Sequence, residues 1–347
     1  MSKVKPLIIV CLLASLIATH ARADEVSDAL AKQEDQAELA VDKALGFLAK
    51  QQLADGSFQA GQFKTAVTSL SIMAFLSRGY TPGDGPYGDV INKGIDYVLS
   101  TIAKDGKFIP LQYVSTYVHA INTLMLSEVS GMVNKPLQEK IDKVLPQCLK
   151  ALLTAQQIRR GNPKQQGGWR YGPTSTDSDL SCTGWALMSL RSARNNGAAV
   201  PKDAIDQAVT FIMNTKGPNG EFFYQPGGGG SVTTQVGLLC LELCGKHKDP
   251  ACLAAGDRLL KTLPKTYGEG FFYYGVYYAS QGMFQLGGTY WDNYAKFQYD
   301  LMLPKQNPDG SWPLSSAAEQ GAGICYSTSM SVLTLSVSFR QLPIYQR

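Results

Sequence analysis

Histidine is scarce in this chain, three among 347 residues, and charge is low, with Asp, Glu, Lys and Arg together at 17%. After the first two dozen residues no apolar run approaches the roughly twenty that a membrane-spanning helix needs, so no span is expected. Clusters of Lys and Arg interleaved with aromatics are also missing, and the formal net charge is only +4. That excludes the electrostatic footprint of a nucleic-acid binder. The glycine run at 227–230 lacks the Lys-Ser/Thr ending of a phosphate cradle and reads as a loop. Nothing in the pattern calls for a cofactor.

What is present begins with an export signal. Lys3 and Lys5 precede an apolar run from Leu7 to Ala18, and Ala21-Arg22-Ala23 closes it. This predicts residues 1–23 as a signal peptide cleaved after Ala23, with a periplasmic or secreted product. Without Lys3, Lys5 and Arg22, 29 basic residues face 28 acids. Cys11 lies within the apolar run, which argues against a lipidated mature cysteine. Six cysteines remain, and an even count in an exported chain permits disulfides. Cys244 and Cys252 flank the turn at Gly245 to Pro250 and form the first candidate pair; buried free thiols are the alternative.

The strongest signal is a recurring turn of Gly plus an aromatic: DGSF (55–58), DGKF (105–108), GGWRY (167–171), NGEFFY (219–224), GEGFFYY (268–274) and DGSW (309–312). An amphipathic stretch precedes each turn, as in Ile91-Ile95-Val98, with a charged opposite face. A charge-poor stretch rich in Ser, Thr, Gly, Ala and Leu follows each, as at 65–79 and 180–197. Such a helix is buried on both sides. Several end at Gly79, Gly131, Gly197, Gly245 or Gly287, where glycine can take the left-handed cap conformation. Six alternating pairs predict an all-α fold, an α/α toroid of six helical hairpins with inner and outer rings. Residues 24–347 read as one domain, in which 24–36 form a polar lead-in to the first outer helix.

Gln52-Leu-Ala-Asp-Gly56-Ser-Phe58 and Gln306-Asn-Pro-Asp-Gly310-Ser-Trp312, with Gln165-Gln-Gly-Gly-Trp169 as a shortened version, resemble the repeat motif of the prenyltransferase and squalene-hopene cyclase superfamily. The resemblance covers residues 24–347 and implies the toroid; it does not specify a reaction. The cyclases of that superfamily carry an acid motif, Asp-x-Asp-Asp-Thr-Ala, on an inner helix. Here the segment is Asp177-Ser-Asp179-Leu-Ser181-Cys182-Thr183-Gly184. Aligned on Thr183, only Asp179 is retained; aligned from Asp177, two acids are retained but Leu180 stands at the third. The protein prenyltransferases bind zinc through Asp-x-Cys and a late His, and this chain offers Asp179-x-Ser181 and Ser327 at those places. The resemblance therefore implies no family-type zinc site. The Cys-Gly-Glu-Gln of complement-type thioester domains is also missing.

The N-terminal ends of the inner helices should converge on one mouth, and candidates are read there. Asp177 and Asp179 form a carboxylate pair for acid-base work, with an N-cap at Asp179 and a solvated loop acid at Asp177 as the alternatives. His119 is either a general base facing the cavity or a hydrogen-bonded core histidine. Tyr117, Trp185, Tyr277, Tyr278 and Tyr326, with Tyr113, Tyr274 and Phe284, can line a ligand pocket or fill the core. Gln235 and Gln281, with Thr68, Thr233, Thr234 and Ser329, can contact a ligand or let helices pack closely.

The leading expectation is an exported binding or scaffold module, its partner an apolar small molecule or a protein segment in the barrel cavity. The alternatives are an isoprenoid- or terpene-modifying enzyme with a divergent active site, and a carbohydrate-active toroid enzyme to which Glu269 and Asp309 contribute.

Overall fold

The computed structural model describes residues 6–102, 115–228, 233–314 and 317–346, with side chains from Asp28 onward. The expected turn at 105–108, Tyr113 and the end of the glycine run at 229–230 lie outside the described residues. Among the described residues the chain forms helices without strands. The outer set is α1 (Pro6–Lys50), α3 (Gly88–Thr101), α5 (Lys135–Gln156), α7 (Lys202–Asn214), α9 (Pro250–Lys261) and α11 (Gly288–Met302). The inner set is α2 (Lys64–Ser77), α4 (Ser115–Val129), α6 (Leu180–Asn195), α8 (Thr234–Leu243), α10 (Phe272–Leu286) and α13 (Ile324–Leu335), with the single turn α12 (Ala317–Gln320) before the last. The polar residues 24–36, expected as a lead-in, are instead helical and continuous with α1.

The two sets differ as their composition requires. On α3 only one stripe is buried, Ile91, Ile95 and Val98 with two glycines, while Lys93 and Asp96 face water. Along α2 every residue from Thr65 to Ser77 is buried. A helix buried all round must satisfy its own hydroxyls. Ser71 Oγ donates to the Val67 carbonyl at 2.9 Å, Ser69 reaches Asn122 on α4 at 2.8 Å, and Ser71 meets Ser329 on α13 at 2.9 Å. Ser329 is thus engaged between helices, and the Thr68 hydroxyl donates to the Lys64 carbonyl of its own helix at 2.8 Å.

The ring closes. Each inner helix packs on the next, and α13 returns to α2. Each later outer helix packs on the inner helix before it in the chain, and α1, with none before it, packs on α13. The fold is an α/α toroid.

The repeat turn explains how hairpins are joined. Gln52 Nε2 donates to the Gly56 carbonyl at 3.0 Å and to Val90 of the next outer helix at 2.8 Å. Gln306 does the same to Gly310 at 3.0 Å and Ala40 at 2.7 Å. In the third repeat the residue in this role is Gln156, which reaches Gly167 at 2.8 Å and Ala204 at 2.7 Å. The shortened motif from Gln165 is therefore corrected: ten residues, 157–166, stand between glutamine and glycine where the Gln52 and Gln306 turns have three, and Arg160 pins them to the Ala155 and Gly168 carbonyls. Glycine is required because φ is +87° at Gly56 and +97° at Gly310, and a Cβ there would meet the Lys93 or Lys43 carbonyl within 2.5 Å. The backbone N–H groups of the turn aromatics Phe58, Trp169, Phe222 and Trp312 each donate to a threonine of the following inner helix, Thr68, Thr183, Thr234 or Thr328. The fifth turn departs from this pattern: Phe271 is half exposed at the start of α10.

At the end opposite the mouth, the last turn, Pro343–Tyr345, packs under the inner helices. The Ile344 N–H donates to Glu128 at 3.2 Å, Gln285 donates to the Tyr345 carbonyl at 3.3 Å, and the Tyr345 hydroxyl bonds that of Tyr277. Glu128 and Gln285 both stand near the C-terminal ends of inner helices, so this turn seals that end. The cysteine expectation is resolved against a bridge. The six described cysteines are free thiols. Cys252 Sγ faces the Lys246 carbonyl at 3.4 Å and not Cys244.

Candidate functional site

A cavity of about 480 Å³ opens among the N-terminal halves of the inner helices. Ala66, Val67 and Leu70 come from α2, Tyr117, Val118 and Ile121 from α4, Ser181 and Trp185 from α6, Tyr274 from α10, and Tyr326 from α13. Thr233, just before α8, completes the ring, so all six hairpins contribute. Tyr171 and Tyr224 reach it from the third and fourth turns. Its size falls within the range of small-molecule sites and far exceeds the voids that packed cores leave.

Of the expected ligand residues, Tyr117, Trp185 and Tyr326 line this cavity. Tyr277 and Tyr278 lie one layer beneath: Tyr277 stacks on Trp185 at 5.6 Å and Tyr278 meets it edge-on at 5.4 Å. Gln235 and Gln281 are placed outside this lining. Gln281 donates to the Leu333 carbonyl at 3.1 Å between α10 and α13, and Gln235 lies beside Gly275 between α8 and α10. Phe284 belongs to the sealed end, under the Arg340 guanidinium at 4.8 Å.

Asp179 is the N-cap of α6. Its Oδ1 accepts from the Cys182 N–H at 2.8 Å and the Ser181 hydroxyl at 2.9 Å. Oδ2 has no hydrogen bond and faces the Arg170 guanidinium at 3.6 Å. Burial pushes the Asp179 carboxyl above its ordinary range, against the lowering effect of its hydrogen bonds and of Arg170. Asp177 pairs with the same Arg170 and accepts from Gln225 at 3.4 Å. The structure thus brings the two acids to one cation, with Asp179 behind the wall formed by Ser181. They do not face each other across the cavity.

His119 does not reach the cavity. Its Nε2 sits 3.0 Å from the Cys148 carbonyl on the outer helix α5, and burial lowers its pKa to about 4. Of the two expected placements, His119 takes that of a hydrogen-bonded histidine between the two shells. Glu269 and Asp309 are exposed, and Asp309 accepts from the Ser311 N–H at 2.9 Å in its own turn.

Several lining residues escape sequence reasoning. Tyr171 and Tyr224 stand two places after the turn aromatics Trp169 and Phe222, where an extended segment returns a side chain to the same side. That offset was a usable signal. Glu319, on α12, had none. Its carboxylate accepts the N–H groups of Tyr273 and Tyr274, both at 3.1 Å, and the Tyr326 hydroxyl at 3.0 Å, so it caps α10 from another element. It is the one charged side chain among the described lining residues. Among the described residues no group of three or more His, Cys, Asp and Glu is placed to hold a metal ion.

Neither a protein-family profile nor a curated protein matches this sequence. Solved structures do match. An inactive variant of the alpha-1,6-mannanase GH76A of Salegentibacter sp. HEL1_6, in complex with alpha-1,6-mannotriose, superposes with a TM-score of 0.66 at 8% identity, over 87% of this chain and 98% of that one. A variant of the type II terpene cyclase MstE from Scytonema, bound to its substrate geranylgeranyl dihydroxybenzoate, gives 0.59 at 12% identity, over 88% and 98%. The same cyclase with its product merosterolic acid A gives 0.57 at 14%, over 90% and 99%. These likenesses are of fold, and the toroid carries both sugar and terpenoid chemistry.

Proposed function

We propose that this chain is an exported binding protein that holds an apolar small molecule in the mouth of its toroid. The observation that carries the reading is the lining: eight aromatic side chains, among them Tyr117, Trp185, Tyr274 and Tyr326, with small aliphatics and one carboxylate already engaged as a helix cap. Such a surface favours hydrocarbon over a sugar, which would need several convergent polar groups. Export is supported by Lys3, Lys5, the apolar run and Ala21-Arg22-Ala23, and N-terminal sequencing of the mature protein should begin at Asp24. Native mass spectrometry of protein purified from its source, followed by solvent extraction, should reveal a hydrophobic ligand in stoichiometric amount. Turnover of a prenyl diphosphate or a triterpene by the purified protein would overturn the binding role.

A second reading is an isoprenoid-modifying enzyme, favoured by one observation: a buried carboxyl, Asp179, whose pKa is raised and which lies one hydroxyl behind the cavity wall. A protonated acid beside an apolar cavity can deliver a proton to a carbon–carbon double bond. Asp179→Asn keeps the cap acceptor and should abolish any such turnover; equal rates in wild type and variant would remove this reading.

A further inference from the structure

We infer that the protein carries a second ligand site, at the sealed end of the toroid, which takes a small organic carboxylate on Arg340. A cavity of about 300 Å³ lies there, between the end of α10 (Phe284, Leu286 and Gly287), His247 and Arg340. That volume is at the lower end for small-molecule sites. The cavity shares no lining residue with the one at the mouth, and a file of contacts, Tyr345 to Tyr277 to Trp185, runs from one lining to the other. The site therefore stands whatever the mouth holds.

Charge sets the sign of the ligand. No Asp or Glu is among the described lining residues, whereas Arg340 and His247 are both basic. The buried Glu242 carboxylate holds His247 Nδ1 at 2.9 Å, which fixes the ring and offsets its charge. Arg340 has no such offset: its guanidinium lies over the Phe284 ring, 4.8 Å from the centroid, and among the described residues no acid pairs with it. A guanidinium stacked on a ring keeps its in-plane N–H donors open, and that fork matches the two oxygens of a carboxylate. Other polar side chains of the lining are spent on the seal, Gln285 on the Tyr345 carbonyl and Tyr345 on the Tyr277 hydroxyl. One uncompensated cation beside Phe284 and Leu286 suits a monoanion with an apolar body, whereas phosphate calls for more donors.

Backbone strain falls at the same place. Among the described residues only Lys248 and Arg340 take a positive φ without being glycine, +62° and +51°. Arg340 lines the cavity, and Lys248 directly follows His247. Glycine adopts this conformation freely and other residues at a cost, and such strain gathers at ligand clamps. Both residues are basic, so the two strained turns add to the positive field at this end.

Beyond residue 23 the chain has two histidines, His119 between the shells and His247 at this cavity, so imidazole NMR signals report on the site directly. Benzoate, benzamide, benzylamine and inorganic phosphate are titrated into the full mature protein. Benzoate is expected to bind with a dissociation constant of roughly 1 mM, shifting the His247 signals and leaving those of His119 in place. Benzamide has the same ring without the charge and should bind about five- to tenfold more weakly, as should phosphate, while benzylamine should leave His247 unshifted. Arg340→Ala should bring benzoate down to the level of benzamide, and Arg340→Lys, which keeps the charge and loses the fork, should fall between. Thermal melting of both variants verifies that they fold. Equal binding of benzoate and benzamide, no benzoate shift at His247, or undiminished benzoate binding by Arg340→Ala overturns the site. Phosphate binding tighter than benzoate overturns its assignment to carboxylates.

Discussion

The side-chain amide of Gln306 donates to the backbone carbonyl of Ala40 at 2.7 Å, joining residues 266 positions apart. The bond ties the last repeat's turn to the first outer helix, where Gln52 and Gln156 tie neighbouring repeats. Gln306→Ala removes this bond and the one to Gly310, leaving two carbonyls without that donor. It should cost about 1–3 kcal/mol, a drop of several degrees in Tm. Gln33→Ala, which breaks an exposed contact to Asp300, should change little. Equal melting of Gln306→Ala and wild type would show that the seam does not depend on this amide.

Two buried groups pull stability in opposite directions with pH. Burial raises Glu128 from its ordinary 4.5 to about 7, and burial lowers His119 from 6.5 to about 4. Between pH 4.5 and 7 the folded state holds the Glu128 proton more tightly than the unfolded chain, so this carboxyl makes stability fall as pH rises. Between pH 4 and 6.5 the unfolded chain protonates His119 first, so the histidine makes stability rise with pH. Each effect is about 3 kcal/mol, and where they overlap they nearly cancel. Glu128→Gln keeps an acceptor for Ile344 and should expose the histidine's slope, measured by urea unfolding from pH 4 to 7. Identical profiles in wild type and variant would rule out Glu128 as a contributor.

The repeat and its closure were legible because glycine, aromatics and charge-poor helices are written in the local sequence. The site was legible only in part. Tyr117, Trp185 and Tyr326 fall within the first turns of inner helices, which the periodicity places at the mouth. Tyr277 sits one turn after Tyr273 and Tyr274, and a turn of helix is enough to carry it from the cavity to the layer below. Gln156 was missed because ten residues, rather than three, separate it from Gly167, so spacing pointed to Gln165 instead. Glu319 acts on helix α10 across more than forty residues, and no local pattern encodes such a contact.

Close packing of the inner ring predicts that some helix glycines tolerate nothing larger. A Cβ at Gly237 on α8 would stand 2.5 Å from the Phe222 ring, which is fully buried in the fourth turn. Gly237→Ala should destabilise by about 1–3 kcal/mol. A Cβ at Gly161 meets nothing within 4 Å, so Gly161→Ala should be nearly neutral. Chemical denaturation of the pair measures the contrast, and equal stabilities would mean that α8 can shift away from the turn without loss.

The thiols should remain reduced and slow to react even where oxidation is permitted. Cys148, Cys182, Cys240, Cys252 and Cys325 are buried, and Cys244 is half-buried. Burial pushes Cys148, Cys244 and Cys325 up to about 12, so the reactive thiolate is rare at neutral pH. Iodoacetamide at pH 8 should label the native protein slowly, with Cys244 first, and all six rapidly in urea. Intact mass should be the same with and without reductant. A mass lower by two hydrogens before reduction would establish a bridge, and given the Cys252 contact to Lys246, forming one to Cys244 would require the turn between α8 and α9 to rearrange.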